Sequence, residues 1–235
     1  VARIAESATI ALDLGGRVVA VTVRRSALAK RTAIRIDPLR GVVLVLPPRA
    51  SRADAERFLL AHRAWVAERL ARLPASQSLE PGQSVDILGE PHLIRHCPAA
   101  RRGVWIETAE LCVSGLAEQV PRRVTAFLRN QAKAIIARHV GELSARLGRR
   151  AGRLTIRDTR SRWGSCSSRG DLSFSWRLVM APEWVLAYVV AHELAHLVEM
   201  NHSPAFWNVV ASLTPDAARA RGWLKRHGAG LHLIG

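Results

Sequence analysis

His192-Glu193-Leu194-Ala195-His196 lies inside the longest apolar run of the chain, Val185 to Val198, and His202 follows ten residues after the first histidine. On a helix four residues turn about 400°, so the two outer histidines differ by only about 40° in azimuth and stand one turn apart on one face. Both imidazoles can therefore meet one metal ion. Two imidazoles and a carboxylate among Val189, Val190, Ala191, Leu194, Ala195, Leu197 and Val198 are expensive to bury without a partner. A straight helix would carry a third ligand away from the ion, so His202 closes the set only if the helix ends first. Asn201-His202-Ser203-Pro204 supplies that break, with Ser203 as cap and Pro204 as first residue of a further helix through Phe206 and Trp207. Glu199, seven residues past His192 and about 20° off its azimuth, ranks second as the third ligand. Zinc in hydrolytic sites takes three protein ligands and keeps one position for water, and ligand type points to zinc over other divalent ions. Glu193, next to the first ligand, is placed to move the proton of that water.

The chain has 235 residues, 49% of them hydrophobic, which is enough for one large domain or two small ones. No stretch reaches the length of a membrane span, and Val1 to Glu6 carry no secretory core, so a cytoplasmic protein with no membrane partner is expected. Cys97, Cys112 and Cys166 have no C-x-x-C spacing, which suggests neither a disulfide framework nor a cysteine metal site. A net charge of +16 points toward polyanions, but all 35 basic residues except Lys30, Lys133 and Lys225 are arginine, which looks like coding bias as much as selection. Local clusters stand at Arg24, Arg25, Lys30, Arg31 and Arg35, and at Arg153, Arg157, Arg160, Arg162 and Arg169. A solvated basic surface is the first reading of them, and nucleic acid or nucleotide contact the second.

Alternating and β-branched runs predict strands at Ile10 to Leu14, Val18 to Val23, Ala33 to Ile36 and Val42 to Leu46, with Asp37 to Gly41 as a hairpin turn. Ser51 and Asp54 mark a helix start, and Phe58, Leu59, His62, Trp65, Val66 and Leu70 form a core-facing stripe ending before Pro74. After a linker-like stretch from Pro74 to Pro81, short strands are expected near Val85, His92, Val104 and Leu111. A long helix runs from about Glu118 to Leu147. Strands follow at Arg153 to Arg157 and Leu172 to Ser175, with a glycine- and serine-rich turn between them. The histidine helix begins near Pro182, and a last helix runs from Thr214 to near Gly228. No internal repeat is evident. The expected class is α+β, with a β-rich subdomain over residues 1–116 and a helix-rich subdomain over 117–235.

Four segments carry a family resemblance: Arg162-Trp163-Gly164-Ser165-Cys166, Leu172 to Leu178, Tyr188 to Leu197, and Asn201 to Trp207. Together they resemble the YgjP-like metallopeptidases, and Arg24-Arg25-Ser26, the Asp37 to Pro47 hairpin, Phe58, Trp65 and Leu88-Gly89-Glu90 extend the likeness over nearly the whole chain. The resemblance implies a zincin-like subdomain related to SprT-like and WLM metalloproteases. It also implies zinc on His192, His196 and His202, with Glu193 as general base. Ser175 stands where asparagine is usual.

The first functional expectation is thus a zinc metallopeptidase acting on polypeptides, with the Leu172 to Ser175 strand pairing an extended substrate. The alternatives are a zinc-dependent nucleotide phosphoanhydride hydrolase and a basic nucleic-acid-associated protein with structural zinc. Tyr188, Arg162, His227 and His232 are candidate oxyanion donors, Tyr188 being first of all a core aromatic. Cys166 reads as part of a tight turn, ahead of a thiolate that blocks the metal. Trp163 and Trp176 read as packing.

Overall fold

The computed structural model describes residues 8–37, 41–72, 77–159 and 162–235. The Pro38 to Arg40 turn, Pro74 and Arg160 of the sequence reading lie outside them. The fold is α+β, and the chain divides into two compact units, Val1–Ala75 and Ser76–Gly235.

In the first unit, β1 (Ala8–Asp13), β2 (Val18–Arg25), β3 (Ala33–Asp37) and β4 (Gly41–Leu46) form one sheet in the order β1-β2-β4-β3. β1/β2 and β3/β4 pair antiparallel, and the central pair β2/β4 runs parallel. Alternation along β4 turns Val42, Leu44 and Leu46 inward, where they join Val21 and Leu12 in one core. Ser51 caps α1 (Arg52–Ala61) in a reciprocal capping box with Asp54. The expected single helix is broken at His62, whose backbone leaves helical geometry, and α2 (Arg63–Ala71) follows. Ala55, Leu59 and Val66 complete the core, whereas Trp65, counted in the core stripe from sequence, is 44% exposed. Val66, seven residues after Leu59, and Leu70 continue the stripe, whereas Trp65 stands about 100° from Val66 around the helix and so falls outside it.

The second unit opens with β5 (Ser84–Ile87), β6 (Glu90–His96), β7 (Val104–Glu107) and β8 (Glu110–Val113), ordered β5-β6-β8-β7 around a parallel β6/β8 pair. This repeats the strand order and sense of the first sheet, a repetition the sequence does not display. α3 (Val120–Leu147) buries Val124, Leu128, Ala132, Ile136 and Val140, a stripe of period four, and stops at Gly148 in left-handed geometry with φ 65°. β9 (Leu154–Arg157), β10 (Gly164–Cys166) and β11 (Leu172–Ser175) form a second sheet of this unit, ordered β10-β11-β9. α4 (Glu183–Ala195), α5 (Pro204–Leu213) and α6 (Ala217–Leu231) complete it. No helix among the described residues is long and apolar enough to cross a membrane.

The division expected at 116/117 falls within this second unit, because Val85, Ile87, Ile94, Leu111 and Val113 share one core with α3 and α4. The linker-like stretch from Pro74 to Pro81 is where the two units meet in sequence. Two details position α4. The Leu88-Gly89 turn between β5 and β6 has φ 54° and 84°, and Leu88 N–H donates to the Val179 carbonyl at 2.7 Å. A Cβ at Gly89 would stand 3.0 Å from Pro182, directly before α4. At the same end, Glu183 accepts from Arg138 and is 3.0 Å from His139 Nε2, tying α4 to α3.

Candidate metal centre

α4 presents His192 and Glu193 from its last turn and ends at Ala195, with His196 as its C-cap. The chain then turns, and Ser203 accepts from Phe206 N–H at 3.3 Å to cap α5, with Pro204 opening it. That turn brings His202 back over the end of α4. His192, His196 and His202 each offer a ring nitrogen, all within 4.8 Å of one another. Among the described residues these three form the group able to hold a metal ion, and Glu199 is not in it. The azimuth that favoured Glu199 does not apply, since the helix stops before reaching it. Its carbonyl instead meets His196 Nδ1 at 3.0 Å, which leaves Nε2 of that ring to face the others.

The donor set fits a tetrahedral cation. Nitrogens about 2.0–2.1 Å from such an ion stand roughly 3.3 Å apart. The Nε2 atoms of His192 and His202 are 3.2 Å apart. Burial first, then the neighbouring His196, His202 and Arg221, push His192 down to about 4, so its ring is neutral at physiological pH and free to accept a metal ion. His196 is lowered as well, chiefly by burial. All three rings pack on Phe206, which is fully buried, at centroid distances of 4.9, 4.6 and 4.7 Å.

Glu193 is 6% exposed, and burial pushes its carboxyl up to about 7, against the pull of the Arg162 charge and the Cys166 backbone N–H. It lies against Gly164 of β10, and a cleft of about 280 Å³ opens between β10 and the three histidines. β10 is the element that sequence reading missed: Gly164 to Cys166 form a strand, not the expected turn. The strand exists because Ser165 pairs with Ser173 and Cys166 with Leu172 across the sheet. A second correction follows. β11, expected to receive a substrate strand, is central, with β9 on one side and β10 on the other, so it has no edge to offer. Of the two edge strands, β9 and β10, it is β10 that lines the cleft with the histidines.

The remaining candidates divide. Tyr188 is buried with its ring 6.0 Å from that of His192, and burial raises its phenol, which stays protonated. Arg162 is exposed, and its charge reaches Glu193. His227 lies tilted against Trp223 at 4.9 Å, and His232 stacks on Trp163 at 4.4 Å. Trp163 and Trp176 pack as expected: a Cβ at Gly228 would meet the Trp163 ring at 3.1 Å, and Trp176 is 1% exposed. The Cys166 thiol is pushed up, mainly by burial and then by Glu193, and lies 3.4 Å from the Ser167 carbonyl, which disfavours a metal-blocking thiolate. Ser175 accepts from Arg177 N–H at 3.4 Å, and so caps the 3-10 turn Trp176–Met180.

A protein-family model described as YgjP-like, metallopeptidase domain, matches residues 30–227. No curated protein matches the chain. Among solved structures it is similar to the metallopeptidase zymogen of Pyrococcus abyssi abylysin, at 24% identity and a TM-score of 0.35, with 39% of this chain and 90% of that one covered.

Proposed function

The chain belongs to the YgjP-like metallopeptidase family, and from that premise we propose that it is a zinc-dependent peptidase in which His192, His196 and His202 hold the ion and Glu193 is the general base. The convergence of three imidazoles within 4.8 Å beside a buried carboxyl carries this reading. Three imidazoles suit zinc by ligand type and leave one position of a tetrahedral ion open. Bound there, zinc would supply Lewis acidity toward a water and toward the scissile carbonyl.

Glu193 handles the proton. Its carboxylate takes one from the attacking water and returns it to the amine nitrogen as the C–N bond breaks, so a single side chain closes the proton balance. Burial supports this role, because a carboxyl at 6% exposure exchanges its proton within the site rather than with bulk water.

The edge of β10 aligns the substrate. Trp163 and Ser167 turn backbone groups toward β11, where the Trp163 carbonyl accepts from Ser175 and Ser167 N–H donates to Asp171. By alternation, the backbone groups of Gly164 and Cys166 face the free side. The Cys166 N–H turns to Glu193. The Cys166 carbonyl and both groups of Gly164 remain to pair an extended peptide as an added strand.

The test is metal analysis of the purified protein together with hydrolysis of an unfolded polypeptide. Glu193→Gln should keep its metal and lose at least about 100-fold in rate, whereas His192→Ala and His196→Ala should lose the metal. A metal-loaded Glu193→Gln protein with full activity would overturn the mechanism. Turnover of a nucleoside triphosphate with no cleavage of polypeptide would overturn the substrate class.

A further inference from the structure

The outer face of the β10-β11-β9 sheet carries a groove of about 620 Å³. Leu172 and Phe174 of β11 are buried inward, so Ser173 faces out, and the register places Ser165 and Thr155 beside it in one row across the three strands. Arg153 and Arg157 flank Thr155 at two-residue spacing, which puts them on the same face, and Arg162 closes the groove from the segment before β10. Among the described residues none of these three arginines has an ion-pair partner. The acid on the rim, Asp171, is engaged by the Arg153 backbone N–H at 2.8 Å. The face is therefore a row of hydroxyls under three exposed guanidiniums. Among the described residues no aromatic ring lines it, so it lacks a platform for stacking bases. Guanidinium forks match carboxylates and phosphates alike, and without a stacking platform the carboxylates of a polypeptide are the better fit.

Ser165 and Cys166 line both this groove and the cleft over the histidines, so one surface runs into the other. A peptide paired on the free edge of β10 sends alternate side chains to opposite faces of the sheet. Every second one lands on the Ser165 face, toward the arginines. We propose that the groove is a specificity site for acidic polypeptides, selecting Asp or Glu at alternate positions of the segment that pairs with β10. The proposal rests on the peptidase reading and adds a substrate class to it.

Two peptides test it, identical except that Asp and Glu at alternate positions in one are Asn and Gln in the other. The wild-type protein should cleave the acidic peptide with a kcat/KM about tenfold higher, the difference lying in KM and shrinking as salt rises from about 0.05 to 0.5 M. Arg153→Gln/Arg157→Gln should bring the ratio to about one and leave the amide peptide unaffected, since neither residue belongs to the catalytic group. Arg153→Glu/Arg157→Glu should prefer a third peptide with Lys at those positions, a gain that misfolding does not produce. Equal cleavage of the acidic and amide peptides by the wild type would overturn the proposal and leave the peptidase intact. Binding of labelled peptides to the Glu193→Gln protein separates the two readings. Preferential binding of the acidic peptide without cleavage by the wild type supports the groove while sinking the peptidase reading, and no preference overturns the groove. Displacement of the acidic peptide by a mixed-sequence single-stranded oligonucleotide at a tenth of the peptide's own concentration would overturn it in favour of nucleic acid.

Discussion

Gly164 lies so close to Glu193 that a Cβ at this position would stand 2.6 Å from both Cγ and Oε1 of that side chain. Its φ is not in the left-handed region, so space alone excludes a side chain here. Gly164→Ala should push Glu193 aside while the sheet pairing and the three histidines remain. The expected result is a fall in kcat of about 100-fold or more with metal content unchanged. Steady-state kinetics on a metal-loaded sample checks it, and a variant of wild-type kcat would show that the carboxyl does not work from this position.

Phe206 is the apolar base on which the three imidazoles rest. Phe206→Ala should leave a cavity beneath them, with a loss of stability of about 3–5 kcal/mol. It should also weaken metal binding by roughly 10–100-fold, since the rings lose the packing that orients them. Phe206→Leu should restore most of the stability and part of the affinity. Thermal unfolding with chelator and competition titration with a metal indicator separate the two effects.

The histidine cluster was legible because its determinants are local. The azimuth of His192 and His196 follows from helix geometry, and the return of His202 follows from a serine cap and a proline within three residues of it. β10 was not legible for the opposite reason. Gly164-Ser165-Cys166 has weak strand propensity and spans three residues, and its conformation comes from pairing with Phe174, Ser173 and Leu172. Misreading it as a turn also misplaced the substrate edge onto β11. The break at His62 was hidden likewise, since neither proline nor glycine marks it. His62 Nδ1 instead meets the Phe58 carbonyl at 2.8 Å, and the ring stacks on Phe58 at 4.2 Å. The common strand order of the two four-stranded sheets leaves no trace in residue identity, because hairpin pairing needs alternation and turns rather than particular side chains.

Glu183 holds the start of α4 to α3. Its hydrogen bond from Arg138, aided by His139 and opposed by partial burial, keeps the carboxyl below its ordinary range. A depressed carboxylate contributes stability above its unfolded pKa and loses it as pH falls through the folded one. Glu183→Gln should therefore lower stability at pH 7, by no more than about 1 kcal/mol because the pair is half exposed. The gap from wild type should narrow as pH falls below the ordinary glutamate range and through the lowered folded value. Paired thermal melts across that range test it, and a gap that persists at low pH would assign the effect to packing.

Glu193 gives the opposite sign. In the metal-free protein burial raises its carboxyl from 4.5 to about 7, so the stability it permits is complete below the unfolded value and is lost as pH rises through the folded one. The span corresponds to about 3 kcal/mol at pH 8 and above. Glu193→Gln carries no charge to bury. With chelator present, the variant should match wild type near pH 5 and exceed it by that order at pH 8, while being inactive with metal. His192 titrates in both proteins and cancels in the comparison. Metal uptake at pH 6 should in addition expel one more proton from wild type than from the variant, because a nearby cation favours the carboxylate and the histidines contribute equally to both. Calorimetry in two buffers of different ionisation enthalpy counts that proton. Equal counts for the two proteins would place Glu193 outside the field of the ion, and the general-base assignment would fall with it.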